Sequence, residues 1–267
     1  MRIEPLRPFC GNAPAQYLLR KAVRSLNRLR GIGTGGGPRS SGERVLPRLV
    51  RRMDRSPAVV FDVGANRGQF LDMMLARLDT DRVRFHVFEP SAATFELLRA
   101  RHEATPNTTL NQLGMGASSG TMTLFLDSEG SELASLTRRD IGYLGHSMDI
   151  QERVEITTVD EYCAAQAIER IDLLKLDVEG HELDVLRGGE GMLSEGRVAM
   201  IAFEFGGCNI DTHTNLKDYH DLLGAHSMRL YRLTPTGYLH PLDRYRVYEE
   251  QYESTIYIAS GRDVATR

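Results

Sequence analysis

The segment VVFDVGANRGQF, residues 59–70, passes from an apolar strand pattern through two glycines into a helix pattern. The helix pattern continues as GQFLDMMLARL, residues 68–78. A glycine-rich turn between a strand and a helix lets a ligand approach the backbone N–H groups at the helix N-terminus. The segment therefore predicts an α/β unit with a ligand site at the end of this strand.

Further strand and helix patterns alternate along the chain. The strand patterns are RFHVFEP (84–90), TTLNQLG (108–114), RVEITTVD (153–160), IDLLKLD (171–177), RVAMIAFEF (197–205), MRLYRLT (228–234) and STIYIAS (254–260). Helix patterns occur as SAATFELLRARH (91–102) and HELDVLRGG (181–189). Strands that alternate with helices predict a mostly parallel sheet that is covered by helices on both faces.

The spacing within the glycine loop separates two kinds of cofactor site. A dinucleotide site has the pattern G-x-G-x-x-G, whose second and third glycines would fall at Asn66 and Gln69. The pattern in this chain is D-x-G-x-x-x-G, formed by Asp62, Gly64 and Gly68. That pattern is typical of S-adenosylmethionine (SAM) methyltransferases, whose cofactor carries an amino-acid end and a sulfonium. An ordinary strand–turn–helix connection is the alternative interpretation.

Glu89 ends the second predicted strand, 25 residues after Gly64. An acid at that position can accept hydrogen bonds from both hydroxyls of an adenosine ribose. Pro90 keeps Glu89 extended and ends the strand. Together with the glycine loop, Glu89 favours a nucleoside cofactor, and SAM over NAD.

Four segments resemble the FkbM family of SAM-dependent methyltransferases. They are FDVGANRGQF, VFEP, LKLDVEGHELDVLRGG and FEFGG, and the likeness extends over roughly residues 55–260. The resemblance implies a Rossmann-like class I methyltransferase sheet of seven strands, mostly parallel with the last strand antiparallel, and helices on both faces. It also implies methyl transfer from SAM to oxygen, typically to a hydroxyl of a sugar, glycolipid or polyketide-type small molecule.

The same resemblance implies which residues hold the cofactor. Those for the methionine end and the ribose are Asp62, Gly64, Asn66, Gly68 and Glu89. Those near the adenine are Gly114 and Ala117 in LGMGASSG, and Ser135 in GSELASL belongs to a loop that closes over the cofactor. Asp177 is also expected beside the sulfonium.

Four ionisable residues stand at alternate positions in IDLLKLDVEGHE, residues 171–182: Lys175, Asp177, Glu179 and His181. Alternation places Lys175 and Asp177 on one face, so we expect the lysine to pair with Asp177 and keep it ionised. His181 has the best unperturbed pKa for removing the proton of an acceptor hydroxyl. Asp177 and Glu179 could instead take the proton or orient the reacting groups. The structural alternative makes Glu179 and His181 helix-start residues.

Glu204 ends the next predicted strand and could reach the same cleft. The predicted catalytic residues are therefore His181, Asp177, Glu179 and Glu204. These four side chains could also ligate a metal ion, because their oxygen and nitrogen atoms are suitable donors. Their spacing is not diagnostic of a metal, so a metal-free base is favoured and no metal site is predicted.

The chain joins a basic leader to an acidic body. Residues 1–55 carry 13 Lys and Arg against 3 Asp and Glu, whereas the remainder carries 20 against 33. We predict a basic helix with a flexible Gly-rich linker over residues 1–42, and a methyltransferase domain over residues 43–267. The helix could contact an anionic membrane surface or bind nucleic acid. A helix packed on the body, or a poorly ordered tail, is the favoured interpretation.

Composition narrows the function classes. The acidic body would repel nucleic-acid phosphates, so we expect a small-molecule hydroxyl acceptor and no nucleic-acid partner. Nucleic-acid methylation and a non-catalytic SAM-binding scaffold are the alternatives. Three widely separated cysteines imply no disulfide framework, and no apolar run approaches the roughly 20 residues that span a bilayer. We therefore expect a cytoplasmic enzyme, with peripheral membrane contact as an alternative.

Overall fold

Strand β1 (Ala58–Val63) lies inside an eight-stranded sheet and has a parallel neighbour on each side. The computed structural model describes residues 10–37, 40–53, 55–262 and 264 of the 267-residue chain. Five of the six residues of β1 are buried. A strand with no solvent-exposed face is stable only where helices cover both sides of the sheet, as they do here.

The described residues form two sheets. The strands are β1, β2 (Val83–Phe88), β3 (Thr108–Asn111), β4 (Gly114–Met115), β5 (Gly120–Leu126), β6 (Ile150–Thr157), β7 (Leu173–Leu176), β8 (Met200–Phe205), β9 (Arg229–Leu233), β10 (Leu239–Pro241) and β11 (Thr255–Ser260). The main sheet has the order β10-β9-β11-β8-β7-β1-β2-β3. A separate sheet has the order β4-β6-β5.

Nine α-helices are formed by the described residues. They are α1 (Ala13–Arg30), α2 (Leu46–Arg52), α3 (Gln69–Leu75), α4 (Ala92–His102), α5 (Val159–Ala165), α6 (Glu182–Arg187), α7 (Glu190–Ser194), α8 (Cys208–Asp211) and α9 (Leu216–Ala225). Short 3-10 turns occur at Glu43–Val45, Thr80–Arg82, Gly142–Leu144 and Val247–Glu249.

The strand order confirms the predicted Rossmann-like sheet. Strands β3, β2, β1, β7 and β8 are parallel, whereas the last strand, β11, runs antiparallel to β8 and β9. The sheet has eight strands instead of seven because β10 pairs with the outer edge of β9. The strand order reverses between β1 and β7, and ligands of such sheets bind beyond the carboxyl ends of the strands at this point.

Two apolar clusters cover the two faces of the main sheet. Alternation along β1 places Phe61 in one cluster and Val60 in the other. Helices α5, α6, α7 and α9 contribute to the Phe61 cluster, whereas α2, α3 and α4 contribute to the Val60 cluster. The prediction of helices on both faces is confirmed.

The segment that follows α1 packs on the body. Ile32 is fully buried, and the Gly35 N–H donates to the Ser254 carbonyl oxygen at 3.0 Å. A Cβ on Gly31 would lie 2.1 Å from the Leu233 carbonyl oxygen, so only glycine allows this close approach. The described part of residues 31–42 is therefore a packed connection, which corrects the expected flexible linker. The boundary between residues 42 and 43 stays a prediction.

Helix α1 forms where the sequence predicts it, between an Asn12 N-cap and a left-handed Gly31. None of its residues is buried, although Asn27 is half-buried and lines a surface cleft together with Glu253, so the predicted packing of the helix stays a prediction. The Arg30 carbonyl at its end accepts from the Arg232 guanidinium at 3.1 Å. None of the helices in the described residues has both the length and the apolar character needed to cross a bilayer.

Candidate active site

A cavity of about 840 Å³ opens at the carboxyl ends of β1, β2, β7 and β8. Gly64, Glu89, Asp177 and Glu204, which lie at or near these four strand ends, all line it. The volume is within the range of small-molecule sites, which is about 300–1,000 Å³. The cavity therefore lies where the reversal of strand order predicts a ligand.

A second cavity of about 840 Å³ lies at the opposite end of the sheet. Its lining includes Val59 at the start of β1, Arg84 at the start of β2, and Asp172 just before β7. None of the predicted site residues lines it, and the amino ends of parallel strands are not the usual ligand-binding end. We therefore take the first cavity as the candidate active site.

The glycine loop forms one wall of the candidate active site. Gly64 has a φ of +79°, and a Cβ on it would lie 1.9 Å from the Asp177 carbonyl oxygen. The N–H groups of Gly64 and Ala65 donate to the Phe88 carbonyl at 3.0 and 2.9 Å. The loop is thus held between β2 and β7, and only glycine fits at its first position.

Glu89 is connected to the same loop. Its Oε2 accepts from the Asn66 N–H and its Oε1 from the Ser91 N–H, each at 3.0 Å. Burial raises the pKa of Glu89 to about 7, although both N–H groups favour the charged form. Asn66 has a φ of +50°, an uncommon conformation for a residue other than glycine. The carboxyl group is therefore buried, fixed in orientation and next to the cavity.

Lys175 pairs with Asp177, as the alternation of residues predicted. The Lys175 Nζ lies 2.9 Å from Asp177 Oδ2 and 3.8 Å from Asp62 Oδ1. Burial alone would lower the pKa of Lys175, but the charges of Asp177, Asp62 and Glu43 outweigh burial and raise it. The lysine therefore stays charged and balances the carboxylates of Asp177, Asp62 and Glu43.

Asp62 lies beneath Lys175 and does not line the cavity. Burial raises the pKa of Asp62 to about 6, and the positive charge of Lys175 opposes this shift. Neither of its carboxylate oxygens has a hydrogen-bond partner in the described part of the chain. Asp62 is an acid whose hydrogen-bonding capacity is left unused by its neighbours.

Glu179 lines the cavity and pairs with the Arg139 guanidinium. Burial, followed by the charge of Asp177, raises the pKa of Glu179 to about 7, whereas Arg139 opposes the shift. Its φ is +52°, and the Ser135 hydroxyl donates to its carbonyl oxygen at 2.9 Å. A strained, half-buried acid with a shifted pKa is typical of a functional residue.

Glu204 and Glu43 add two carboxyl groups to the cavity wall. Burial, followed by the charge of Asp177, raises the pKa of Glu204 well above its ordinary value. Burial also raises the pKa of Glu43, against the opposing charge of Lys175. The Ser41 hydroxyl donates to Glu43 Oε2 at 2.6 Å. Acidic groups from both ends of the sequence thus converge on one cavity.

His181 is turned away from the cavity lining. Its Nε2 lies 2.9 Å from the Thr137 hydroxyl oxygen, and its Nδ1 lies 3.0 Å from Asp184 Oδ2. Both ring nitrogens therefore have partners, and His181 is absent from the residues that line the cavity. Within the described residues, no three His, Cys, Asp or Glu side chains are arranged to hold a metal ion.

The predicted cofactor residues divide into two groups. Those that line the cavity are Gly64, Asn66, Glu89, Gly114, Ser135 and Asp177, and those that do not are Asp62, Gly68 and Ala117. Gly68 begins α3 with a φ of +84°, and a Cβ there would meet the His102 ring at 2.6 Å. Ala117 is exposed. Their assignment to the cofactor stays a prediction.

Sequence reasoning did not identify Glu43, Arg139 or the Gly35–Gly37 segment as part of this region. Glu43 is one of only 3 acids among the first 55 residues, and this isolation was a signal for a specific role. Arg139 has no local sequence signal, because its partner Glu179 is 40 positions away. The glycines were attributed to linker flexibility.

The family model for the methyltransferase FkbM domain matches residues 62–227. The chain belongs to the FkbM methyltransferase family. The matched residues include the glycine loop, Glu89, Asp177, Glu179 and Glu204, whereas Glu43 lies outside them.

Three relatives carry methyltransferase names. The 31-O-demethyl-FK506 methyltransferase FkbM of Streptomyces tacrolimicus is 32% identical over 158 residues, covering 49% of this chain and 59% of the relative. The hexuronic acid methyltransferase AglP of Haloferax volcanii is 28% identical over 150 residues, covering 55% and 56%. The 2-O-methyltransferase NoeI of Sinorhizobium fredii is 25% identical over 197 residues, covering 68% and 78%. The match thus spans less than three fifths of the first two relatives.

Among solved structures, the methyltransferase FkbM from Methylobacillus flagellatus is similar, with a TM-score of 0.46 and 16% identity. The match covers 76% of this chain and 43% of that chain.

Proposed function

We propose that this FkbM-family methyltransferase transfers a methyl group from SAM to a hydroxyl of a sugar, glycolipid or polyketide-type small molecule. The observation that carries the proposal is the cavity itself. Its lining combines the glycine loop and Glu89 with Asp177, Glu179 and Glu204. A cofactor and an acceptor can therefore be bound side by side, which methyl transfer requires.

The lining fits the chemistry of SAM. The cofactor carries a sulfonium and an ammonium, and the cavity wall is rich in carboxyl groups that attract cations. The two oxygens of Glu89 are suitably fixed to accept from ribose hydroxyls. Gly64, Asn66 and Asp177 would hold the methionine end, and SAM would supply the electrophilic methyl group.

For the proton of the acceptor hydroxyl, we propose Glu179 as the base in place of His181. The pKa of Glu179, raised by burial to about 7, suits proton removal near neutral pH. Arg139 holds its carboxylate in place, whereas the ring of His181 is already bonded on both sides. In this proposal Glu204, whose pKa burial raises well above its ordinary value, contacts the acceptor hydroxyl, and Asp177 lies between the acceptor and the methionine end of SAM.

The names of the relatives support oxygen as the methylated atom. Those of the Streptomyces and Sinorhizobium proteins specify O-methyl positions, and that of the Haloferax protein specifies a hexuronic acid. Methylation at an oxygen is what the names of the Streptomyces and Sinorhizobium proteins have in common. We therefore propose a small-molecule hydroxyl as the acceptor of this chain.

Calorimetric titration with SAM, S-adenosylhomocysteine and NAD tests the cofactor. We expect binding of the first two and none of NAD. Transfer of a labelled methyl group to a panel of sugars, glycolipids and polyketides then tests the reaction, with RNA and DNA as control acceptors. Binding of NAD equal to that of SAM, or labelling of nucleic acid alone, would contradict the proposal. SAM binding without transfer to any member of a broad panel would favour the scaffold alternative.

A further inference from the structure

Helix α1 carries a concentration of exposed apolar side chains. Of the fifteen large apolar side chains that are exposed in the described part of the chain, six belong to this 18-residue helix. They are Tyr17, Leu18, Leu19, Val23, Leu26 and Leu29. Isolated apolar residues on a surface are ordinary, but a contiguous apolar patch usually marks an interaction site.

The leucines form one stripe on the outer side of α1. Leu18, Leu26 and Leu29 are 65%, 60% and 76% exposed and recur at helical spacing. Asn27, which is half-buried, is nine residues after Leu18, so about two and a half turns place it on the opposite side of the helix. The leucine stripe therefore points away from the body.

Cations border this stripe. The helix contains Arg20, Lys21, Arg24, Arg28 and Arg30 and no acidic residue. At about 100° per residue, Lys21 and Arg28 lie directly beside the stripe that contains Leu18 and Leu29. An apolar stripe with flanking cations is the arrangement of helices that lie in the interface of an anionic bilayer.

We propose that α1 docks this protein on an anionic lipid surface, with Leu18, Leu26 and Leu29 in the acyl boundary and Lys21 and Arg28 at the headgroups. The charge of the helix is complementary to that surface. The proposal is independent of the methyl-transfer chemistry, because it rests on the exposed face of α1 alone.

Docking of α1 on a lipid surface would also bring the cavity close to that surface. Gly35, which lines the cavity, is five residues after Arg30, so the helix end lies within about 18 Å of it. Exposed Val247 and Tyr248 lie in the same region, because Glu249 pairs with Arg232, which donates to the Arg30 carbonyl. A docked helix would therefore keep the cavity close to the lipid surface.

Two other occupants fit the helix less well. A second copy of α1 would place five cations beside five cations without any acid on either helix. A nucleic acid would neutralise the cations but leave the leucine stripe in water. An anionic bilayer satisfies the apolar stripe and the cations together.

Vesicle flotation with the full chain tests the proposal. We expect flotation with phosphatidylcholine vesicles that contain phosphatidylglycerol, little flotation with phosphatidylcholine alone, and weakening with added salt. The triple variant Leu18→Ser, Leu26→Ser, Leu29→Ser should bind at least about tenfold more weakly. The double variant Lys21→Gln, Arg28→Gln should bind about 25-fold more weakly, at about fivefold per cation.

The matched control is Ile210→Ser with Arg138→Gln, which removes an exposed apolar residue and an exposed cation elsewhere and should bind like the parent. A parent protein that stays unbound with anionic vesicles overturns the proposal, and so does unchanged binding by the leucine variant. A dimer in sedimentation that the leucine variant dissociates would assign the stripe to a second copy. RNA binding that the leucine changes leave intact, without vesicle binding, would assign the cations to nucleic acid.

Discussion

Gly64 and Asp177 are in direct backbone contact where β1 and β7 end. A Cβ atom on Gly64 would lie 1.9 Å from the Asp177 carbonyl oxygen, and the glycine has a φ of +79°. The two strands are parallel neighbours, so this contact joins the glycine loop to the strand that carries Lys175. A displacement of the glycine loop, which is proposed to hold the cofactor, would therefore also displace Asp177 at the end of β7.

Gly64→Ala should impair SAM binding and stability together. The added methyl group requires β1 and β7 to separate, which displaces the loop and the Asp177 carboxylate. We expect SAM affinity to fall at least about tenfold and the free energy of unfolding to fall by more than the roughly 1–2 kcal/mol of a left-handed conformation alone. Calorimetry and thermal unfolding measure the two effects.

Gly196→Ala is the matched control for that change. Gly196 has a φ of +66°, but a Cβ there would meet nothing within 4 Å. It should lower stability by the backbone effect alone and leave SAM affinity unchanged. If both variants behaved alike, the close contact with Asp177 would not be the reason for Gly64.

Glu89→Ala should weaken SAM binding by about 1–3 kcal/mol, because ribose hydroxyls would lose their acceptor. Glu152→Ala is the control. Glu89 accepts from the N–H of Ser91, the N-cap residue of α4, and Glu152 accepts from the N–H of Ala92, the first residue of α4. Glu152 does not line the cavity. Titration calorimetry should therefore separate the two variants, and equal losses would show that Glu89 acts through the helix start.

Stability of the ligand-free protein should fall as pH rises from 6.5 to 8. The pKa values of Glu89 and Glu179 are raised by burial to about 7 in the folded state, above their ordinary value of 4.5. Their contribution to the free energy of unfolding is complete below their pKa in the unfolded state. It is lost as the pH rises through their pKa in the folded state. The loss should be about 1–2 kcal/mol for the pair.

Measuring stability only from pH 6.5 to 8 avoids an opposing contribution from His86. Burial lowers the pKa of His86 to about 4 from 6.5, so its contribution to stability grows as pH rises to about 6.5 and is constant above. Chemical denaturation of the parent and of the double variant Glu89→Gln, Glu179→Gln provides the comparison. A parental slope that is undiminished in the double variant would contradict the assignment.

Glu179→Gln should lower the single-turnover rate of methyl transfer by about 10²–10⁴-fold, the usual scale for a lost general base. The parental rate should rise with pH through about 7 and then level off, because Glu179 acts when ionised. SAM affinity should change little. Arg139→Gln should move the rising part of the pH–rate profile to higher pH, since the guanidinium favours the charged form of Glu179.

His181→Ala distinguishes this base from the one predicted from sequence. His181 bonds Thr137 and Asp184, so its removal should lower the melting temperature and leave the rate within a few-fold of the parent. A variant that melts like the parent but loses a hundredfold in rate would restore His181 as the base.

Two truncations should differ in SAM affinity. Removal of residues 1–30 deletes α1, none of whose residues is buried, and should leave affinity unchanged. Removal of residues 1–42 also deletes Ile32, which is buried, and Gly35, which lines the cavity. The longer truncation should lower the melting temperature and weaken SAM binding, although the sequence alone placed residues 1–42 outside the methyltransferase domain. Calorimetry on both proteins decides the matter.

Local patterns were sufficient for the fold and for one side of the candidate site. The glycine loop, the acid at the end of β2 and the Lys175–Asp177 pair depend on residues close in sequence or on the two-residue period of a strand. The sequence could therefore predict a Rossmann-like sheet and place Gly64, Glu89 and Asp177 at one end of it. It did not predict β10, a three-residue edge strand that is recognisable only from its pairing with β9.

Tertiary structure alone decided which further groups surround the cavity. Glu43 interacts electrostatically with Lys175 across 132 sequence positions, and Arg139 pairs with Glu179 across 40. Such contacts depend on the paths of long connections, which no local period encodes. His181 was assigned by its intrinsic pKa, but a side chain at a helix start can turn to either side, and packing turned it to Thr137 and Asp184. The sequence therefore determined the sheet and the ligand end, whereas the folded chain determined the neighbours of each acid.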